Sequence, residues 1–145
     1  MNSNEKSAKP TVIPVLRYRD AQAAINWLCK TFGFEKHLVV PDADGGIRHA
    51  QLTCSNGMVM LGSARSNDLN KVAKTSATTR QLDDPSIHII TANVDQHYTK
   101  AVEAGAEIVM AIQDEDYGGR AYSCRDPEGH VWSFGSYDPW SHSKV

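Results

Sequence analysis

Six histidines, at positions 37, 49, 88, 97, 130 and 142, are the side chains in this sequence best suited to hold a metal or move a proton. No two of them form the i, i+4 pair that would set two imidazoles on one face of a helix. Cys29, Cys54 and Cys124 are odd in number and include no C-x-x-C pair, so neither a disulfide framework nor a zinc knuckle is indicated. Cys29 falls on the apolar side of a predicted helix and the other two inside predicted strands, which leaves no nucleophile pattern. There is no G-x-S-x-G elbow, no P-loop and no dinucleotide fingerprint. The acids Asp83-Asp84 and Asp114-Glu115-Asp116 read as solvated loop charges. What remains is binding chemistry rather than bond-breaking chemistry. Arg17 and His88 lie in predicted strands, and the loop Glu115-Asp116-Tyr117-Gly118-Gly119-Arg120 joins a flat amphipathic ring to a fixed charge.

These groups need elements to position them. A strand is expected over residues 11–18. Asp20 then caps a helix with apolar positions Ala24, Trp27, Leu28 and Phe32, and Gly33 stops it. Strands follow at 36–40, 47–54 and 58–61, separated by Asp44-Gly45-Gly46 and Ser55-Asn56-Gly57. Residues 63–85 are polar and read as a connector. After it the order returns. A strand at 87–91 leads to Asn93, which with Gln96 has the spacing of a capping box, and Tyr98, Ala101 and Val102 supply the apolar stripe up to Gly105. Strands at 107–112, 120–125 and 130–135 complete the series.

Gly33-Phe34-Glu35 matches Gly105-Ala106-Glu107, and Gly57-Met58-Val59 matches Gly129-His130-Val131, both at an offset of 72 residues. Equal spacing together with equal element order indicates two copies of one βαβββ unit, an α+β arrangement related by a pseudo-twofold axis.

The stretch Arg125-Asp126-Pro127-Glu128-Gly129-His130-Val131-Trp132-Ser133-Phe134, preceded by Tyr117-Gly118-Gly119-Arg120, resembles the C-terminal signature of the vicinal oxygen chelate superfamily. These are the glyoxalase, bleomycin-resistance and dioxygenase proteins, and the likeness is to their bleomycin-resistance or phosphonate-operon-like branch. It covers roughly residues 10–138 and implies one domain: halves at 10–62 and 86–138 forming a curved mixed-sheet cup, a leader at 1–9 and a tail at 139–145. Enzymes of this superfamily hold a divalent metal with one side chain from the first and one from the last strand of each half. Carried onto this sequence, those positions are Ile13, Leu61, Ser86 and Ser133. The resemblance therefore implies no metal and no cofactor, because zinc, nickel and iron need imidazole or carboxylate donors.

In the same register Val15 and Arg17 face the cup, as does His88, two residues from Ser86. Arg17 either meets an oxygen of a ligand or closes a salt bridge at the strand end. His88 is either a hydrogen-bonding group of the cup or a satisfied core histidine. Tyr117 and Arg120 sit at the cup mouth, as a lid or as an ordinary hairpin turn. Ser133 joins them as a ligand-binding candidate, while Trp132 and Phe134 belong to the core. Trp140 covers either an edge or a partner subunit.

The bulk properties bound the function. A chain of 145 residues with a formal charge of −2 and no Lys/Arg run offers nothing to a nucleic acid. No apolar stretch approaches the roughly 20 residues a membrane span needs, and residues 1–9 lack the core of a signal peptide, so the cytosol is the expected location. The expectation is a metal-free binding protein for a small molecule, such as an aromatic drug or metabolite, working as a homodimer and contributing to antibiotic resistance. The competing classes are a metal-dependent lyase, isomerase or dioxygenase of the same superfamily, and a protein with an accessory role.

Overall fold

Asp20 begins the first helix as expected: its carboxylate accepts a hydrogen bond of 3.0 Å from the Ala23 amide. Such caps contribute about 1 kcal/mol. Gly33, in the left-handed region at φ 81°, closes the same helix. This computed structural model describes residues 9–64 and 86–141. The strand β1 (Val15–Tyr18) leads into α1 (Ala21–Phe32), followed by β2 (Glu35–Pro41), β3 (Ile47–Cys54) and β4 (Gly57–Ser63). The second series is β5 (Ser86–Ile90), α2 (Val94–Glu103), β6 (Glu107–Asp114), β7 (Arg120–Arg125) and β8 (Val131–Gly135), with a short 3-10 turn at Pro139–Ser141. Most of the expected leader, connector and tail, and His142, lie outside the described residues.

The chain divides into two compact units, Met1–Val72 and Ala73–Val145. Each holds one βαβββ copy, and the sheet orders β1-β4-β3-β2 and β5-β8-β7-β6 match. In both, the first strand runs parallel to the last and the other pairings are antiparallel. Even an irregularity repeats: the ladder slips between Lys36 and Leu38 in one copy and between Ile108 and Met110 in the other. The duplicated α+β fold is established.

In the first unit α1 lies on one face of its sheet. Ile25 and Leu28 of the helix are fully buried with Leu52, Val59 and Leu61 of the strands, each contributing roughly 1.5–3 kcal/mol by leaving water. The second unit does this with larger groups. Tyr122, Trp132 and Phe134 are fully buried, and from α2 the His97 ring stacks 4.1 Å from Phe134 while Tyr98 meets Tyr122 edge-on. His97 Nδ1 and the Tyr122 hydroxyl share a hydrogen bond of 2.6 Å. Burial drives the Tyr122 phenol well above its usual pKa range.

Two expectations for this second copy need correction. Asn93 takes the N-cap position but makes no side-chain cap bond, so the capping box with Gln96 does not form. Val102 is 46% exposed; the buried residues of α2 are Val94 and Ala101. The helix is held by His97 and Tyr98 packing on aromatic strand residues, so it depends less on its cap. It ends at Glu103, and Gly105 stops it as expected: in the left-handed region at φ 90°, it lets its own amide and that of Ala106 donate to the carbonyls of Val102 and Ala101, each at 3.0 Å.

The offset between copies is not constant, and this moves one predicted position. Asp20 and Asn93, the two N-cap residues, are 73 apart, whereas Glu35 and Glu107, which open β2 and β6, are 72 apart. One residue has been lost between the second N-cap and the strand that follows its helix. The β7–β8 turn restores it: five residues separate the paired Arg125 and Val131, against four between the paired Thr53 and Met58. Ser133 pairs with His88 and Ser123, and Met60 pairs with Val15 and Gln51. The counterpart of Ser133 is therefore Met60, not Leu61. Leu61, only 1% exposed, belongs to the helix side of its sheet.

The extra residue has its own anchor. Asp126, 3% exposed, accepts hydrogen bonds from the amides of Glu128 and His130 and, at 3.0 Å, from the indole nitrogen of the buried Trp132. This explains why an Asp begins the Asp-Pro-Glu-Gly turn: a carboxylate can satisfy three donors at once.

Candidate functional site

Each sheet has one face against its helix and a far face turned away from it. Alternation along the strands assigns the far-face residues, and pairing across the strands arranges them in rows. In the first unit the central row is Val15, Met60, Gln51 and Leu38. In the second it is His88, Ser133, Ser123 and Met110. Arg17, His88 and Ser133, expected from the sequence to share such a face, all lie on far faces. Arg17 belongs to the first unit, and His88 and Ser133 are paired neighbours in the second.

Arg17 pairs with Gly62, and a Cβ added to that glycine would stand 2.8 Å from Arg17 Nη1. The guanidinium thus lies across β4 in space that only glycine leaves. His88 does something similar: a Cβ on Gly135 would stand 3.1 Å from its Cε1. Partial burial lowers the His88 pKa from 6.5, which favours the neutral imidazole. The Ser123 and Ser133 hydroxyls are hydrogen-bonded to each other at 3.0 Å. In the first unit Gln51 bonds His49 at 3.0 Å, beside Met58 and Met60.

Tyr117 and Arg120 lie elsewhere. They sit in the β6–β7 hairpin, whose geometry is that of the hairpin-turn alternative. Glu115 N–H donates to Gly119 C=O at 2.9 Å, and Gly118 N–H donates back to Glu115 C=O at 3.0 Å. Gly118 and Gly119 have φ of 123° and 71°, so the turn itself demands them. The Tyr117 ring, 57% exposed, meets Tyr137 edge-on at 5.1 Å. Arg120 is engaged by Asp114 at 2.8 Å and Asp95 at 3.1 Å, and its pKa is raised by the bond to Asp114 first and by Asp95 next. Its charge is matched by these two carboxylates.

Sequence reasoning missed Met60, Gln51, Ser123 and Met110. Period-two alternation from a correct register would have found Met60, Gln51 and Ser123, whereas Met110 reaches the far face through the slip after Ile108.

The metal that the fold family uses finds no suitable donors here. The positions that the resemblance implies for it, with Met60 in place of Leu61, hold Ile13, Met60, Ser86 and Ser133, and His88 pairs with Ser133. Among the described residues no three His, Cys, Asp or Glu side chains come together in a group that could hold a metal ion. Two hydroxyls, a thioether and an alkyl group do not suit zinc, nickel or iron. Among the described residues, too, no helix is long and apolar enough to cross a membrane.

This duplicated βαβββ architecture is shared with solved structures. TioX from Micromonospora sp. ML1 is 32% identical, with a TM-score of 0.67 over 87% of this chain and 94% of that one. A fosfomycin resistance protein from Listeria monocytogenes, FosX, solved with Mn(II) and sulfate, superposes with a TM-score of 0.62 over 92% of this chain and 96% of that one; at 13% identity it shows the fold alone. An uncharacterised protein of Mycobacterium bovis is 33% identical over 132 residues, covering 89% of this chain and 84% of its own. The chain belongs to the Glyoxalase/Bleomycin resistance protein/Dioxygenase superfamily, whose family model matches residues 11–134.

Proposed function

We propose that the chain is a metal-free binding protein for a planar or aromatic small molecule, a drug or a metabolite, held in the sheet cup implied by its superfamily. The observation that carries this reading is the content of the two central rows. Val15, Met60, Gln51 and Leu38 in the first unit, and His88, Ser133, Ser123 and Met110 in the second, include no carboxylate and one imidazole. Thioethers and alkyl groups beside a few hydroxyl, amide and imidazole groups are the lining expected of a site that holds an organic ligand and orients it. The protein works in the cytosol as a twofold homodimer. Sequestering an antibiotic is one form such a function takes.

Elemental analysis of untagged protein, run beside a tryptophan-fluorescence screen of aromatic compounds, tests this. The expected result is far less than one equivalent of Zn, Ni, Fe or Mn and saturable quenching by a subset of compounds. Stoichiometric metal with chelator-sensitive turnover would replace this reading with a metal-dependent lyase, isomerase or dioxygenase. Sedimentation showing only a 16.0 kDa monomer at micromolar concentration would remove the dimer. For an anionic or carbonyl-bearing ligand, Arg17→Ala should weaken binding roughly tenfold to a hundredfold, as the loss of a charge-assisted hydrogen bond does.

A further inference from the structure

We propose that the far face of the second unit recognises an uncharged amide- or imide-type group, read by His88, Ser123 and Ser133. The inference rests on the small-molecule reading above and adds the chemical class of the ligand's polar end.

The three side chains are adjacent in one row across β5, β8 and β7. Ser123 and Ser133 bond to each other at 3.0 Å. A hydroxyl has one proton and two lone pairs, so when one serine donates to the other, the second keeps its proton for an outside acceptor. Both keep lone pairs for an outside donor. A neutral imidazole likewise offers one donor and one acceptor, and among the described residues nothing hydrogen-bonds to the His88 ring. The row thus presents donor and acceptor side by side, the complement of a group with C=O next to N–H.

Charge points the same way. Arg125, two residues from Ser123 on the same face, is 15% exposed and bonds Glu107 at 2.9 Å. With that cation already matched, an anion would exchange its hydration for hydroxyls alone, and a cation would find Glu107 committed. An uncharged polar group has neither cost. Position is also set, because the imidazole lies against Gly135, where an added Cβ would stand 3.1 Å from its Cε1 and push it aside. Met110 ends the row and offers a polarisable thioether to the ring that bears the amide.

The test uses isotope-labelled full-length protein and three probes of similar size: benzamide, benzoate and toluene. Amide resonances are followed by two-dimensional NMR. Benzamide should shift the signals of residues 86–90, 121–125 and 131–135 saturably at millimolar concentration, and should bind more tightly than benzoate or toluene. Ser133→Ala and Ser123→Ala should each weaken benzamide roughly threefold to tenfold and leave toluene unchanged. Gly135→Ala, which displaces the imidazole while keeping all three side chains, should also weaken benzamide selectively; it serves if a serine variant does not fold. Benzoate binding more tightly than benzamide, or benzamide shifting only residues of the first unit, would overturn the inference and leave the small-molecule reading standing. No shift from any probe, together with a silent fluorescence screen, would overturn both.

Discussion

In the first unit the side chain that reaches over a glycine of the last strand is the Arg17 guanidinium; in the second it is the His88 imidazole. Around Arg17 the far face is made of Val15, Met58, Met60, Leu38 and the bonded pair Gln51 and His49. Around His88 it is made of two serines, Ala121 and Met110. The helix-side faces differ as well, with aliphatic Leu52, Val59 and Leu61 in one and aromatic Tyr122, Trp132 and Phe134 in the other. Yet topology, strand pairing and the bulge after the helix are the same. The hydrogen-bonded frame tolerated the exchange of nearly every side chain on both faces. What had to be kept was which residues face which way.

The sharpest way to break this comparison is at the shifted register. Leu61→Ala should cost about 2–5 kcal/mol, the range for a buried leucine, while Met60→Ala should cost less than half as much. Urea unfolding of both variants decides it, and the reverse order would restore a uniform offset of 72. The turns come next. Asp126→Ala strands three donors, one of them a buried indole, and should cost about 3 kcal/mol. Asn56→Ala in the corresponding turn of the first unit, where the residue is exposed, should stay within about 0.5 kcal/mol. Equal losses would mean the two turns are held alike.

The glycines give a smaller contrast. A Cβ at position 62 would stand 2.9 Å from the Arg48 carbonyl oxygen and 3.3 Å from that of Ile47, both backbone atoms, in addition to Arg17. Gly62→Ala should therefore cost about 1–3 kcal/mol. At Gly135 the nearest atoms are side-chain atoms at 3.1 and 3.3 Å, so thermal denaturation should show less than about 1 kcal/mol. The smallest effect is in pH. His88 has a folded pKa below its ordinary 6.5, so the unfolded chain takes up the proton more readily. Stability from this residue is full above pH 6.5 and declines as pH falls through 6.5 towards the lower folded value. His88→Gln should flatten the midpoint-against-pH curve just below pH 6.5; an unchanged slope would assign it to other groups.

The order of elements was legible because its signals are local. Asp20, Gly33 and the turns at Gly45-Gly46 and Gly118-Gly119 announce ends whatever they pack against. The faces were legible only in part. An offset measured at Gly33 and Gly57 is blind to one residue lost before Gly105 and regained after Gly129, because both landmarks lie between the two changes. That is why Leu61 was expected where Met60 lies, whereas Arg17, His88 and Ser133, whose registers are counted from nearby landmarks, fall on the far faces of their own sheets. The His97–Tyr122 bond and the Asp126–Trp132 clasp join residues on different elements or across a turn, and no spacing rule foretells them. The same holds for Arg120, whose partners come from α2 and β6.

The crossing of a side chain over a neighbouring glycine also bears on how such a molecule can change over generations. Residues 17 and 88 sit on strands with a single partner in their own sheet, and the room they use is vacated by Gly62 and Gly135 rather than carved from packed side chains. A substitution at either place alters what the sheet displays without disturbing the layer beneath the helix. Descendants of the duplicated unit can thus drift in taste while remaining equally well folded, each glycine acting as a socket into which a different head group is fitted.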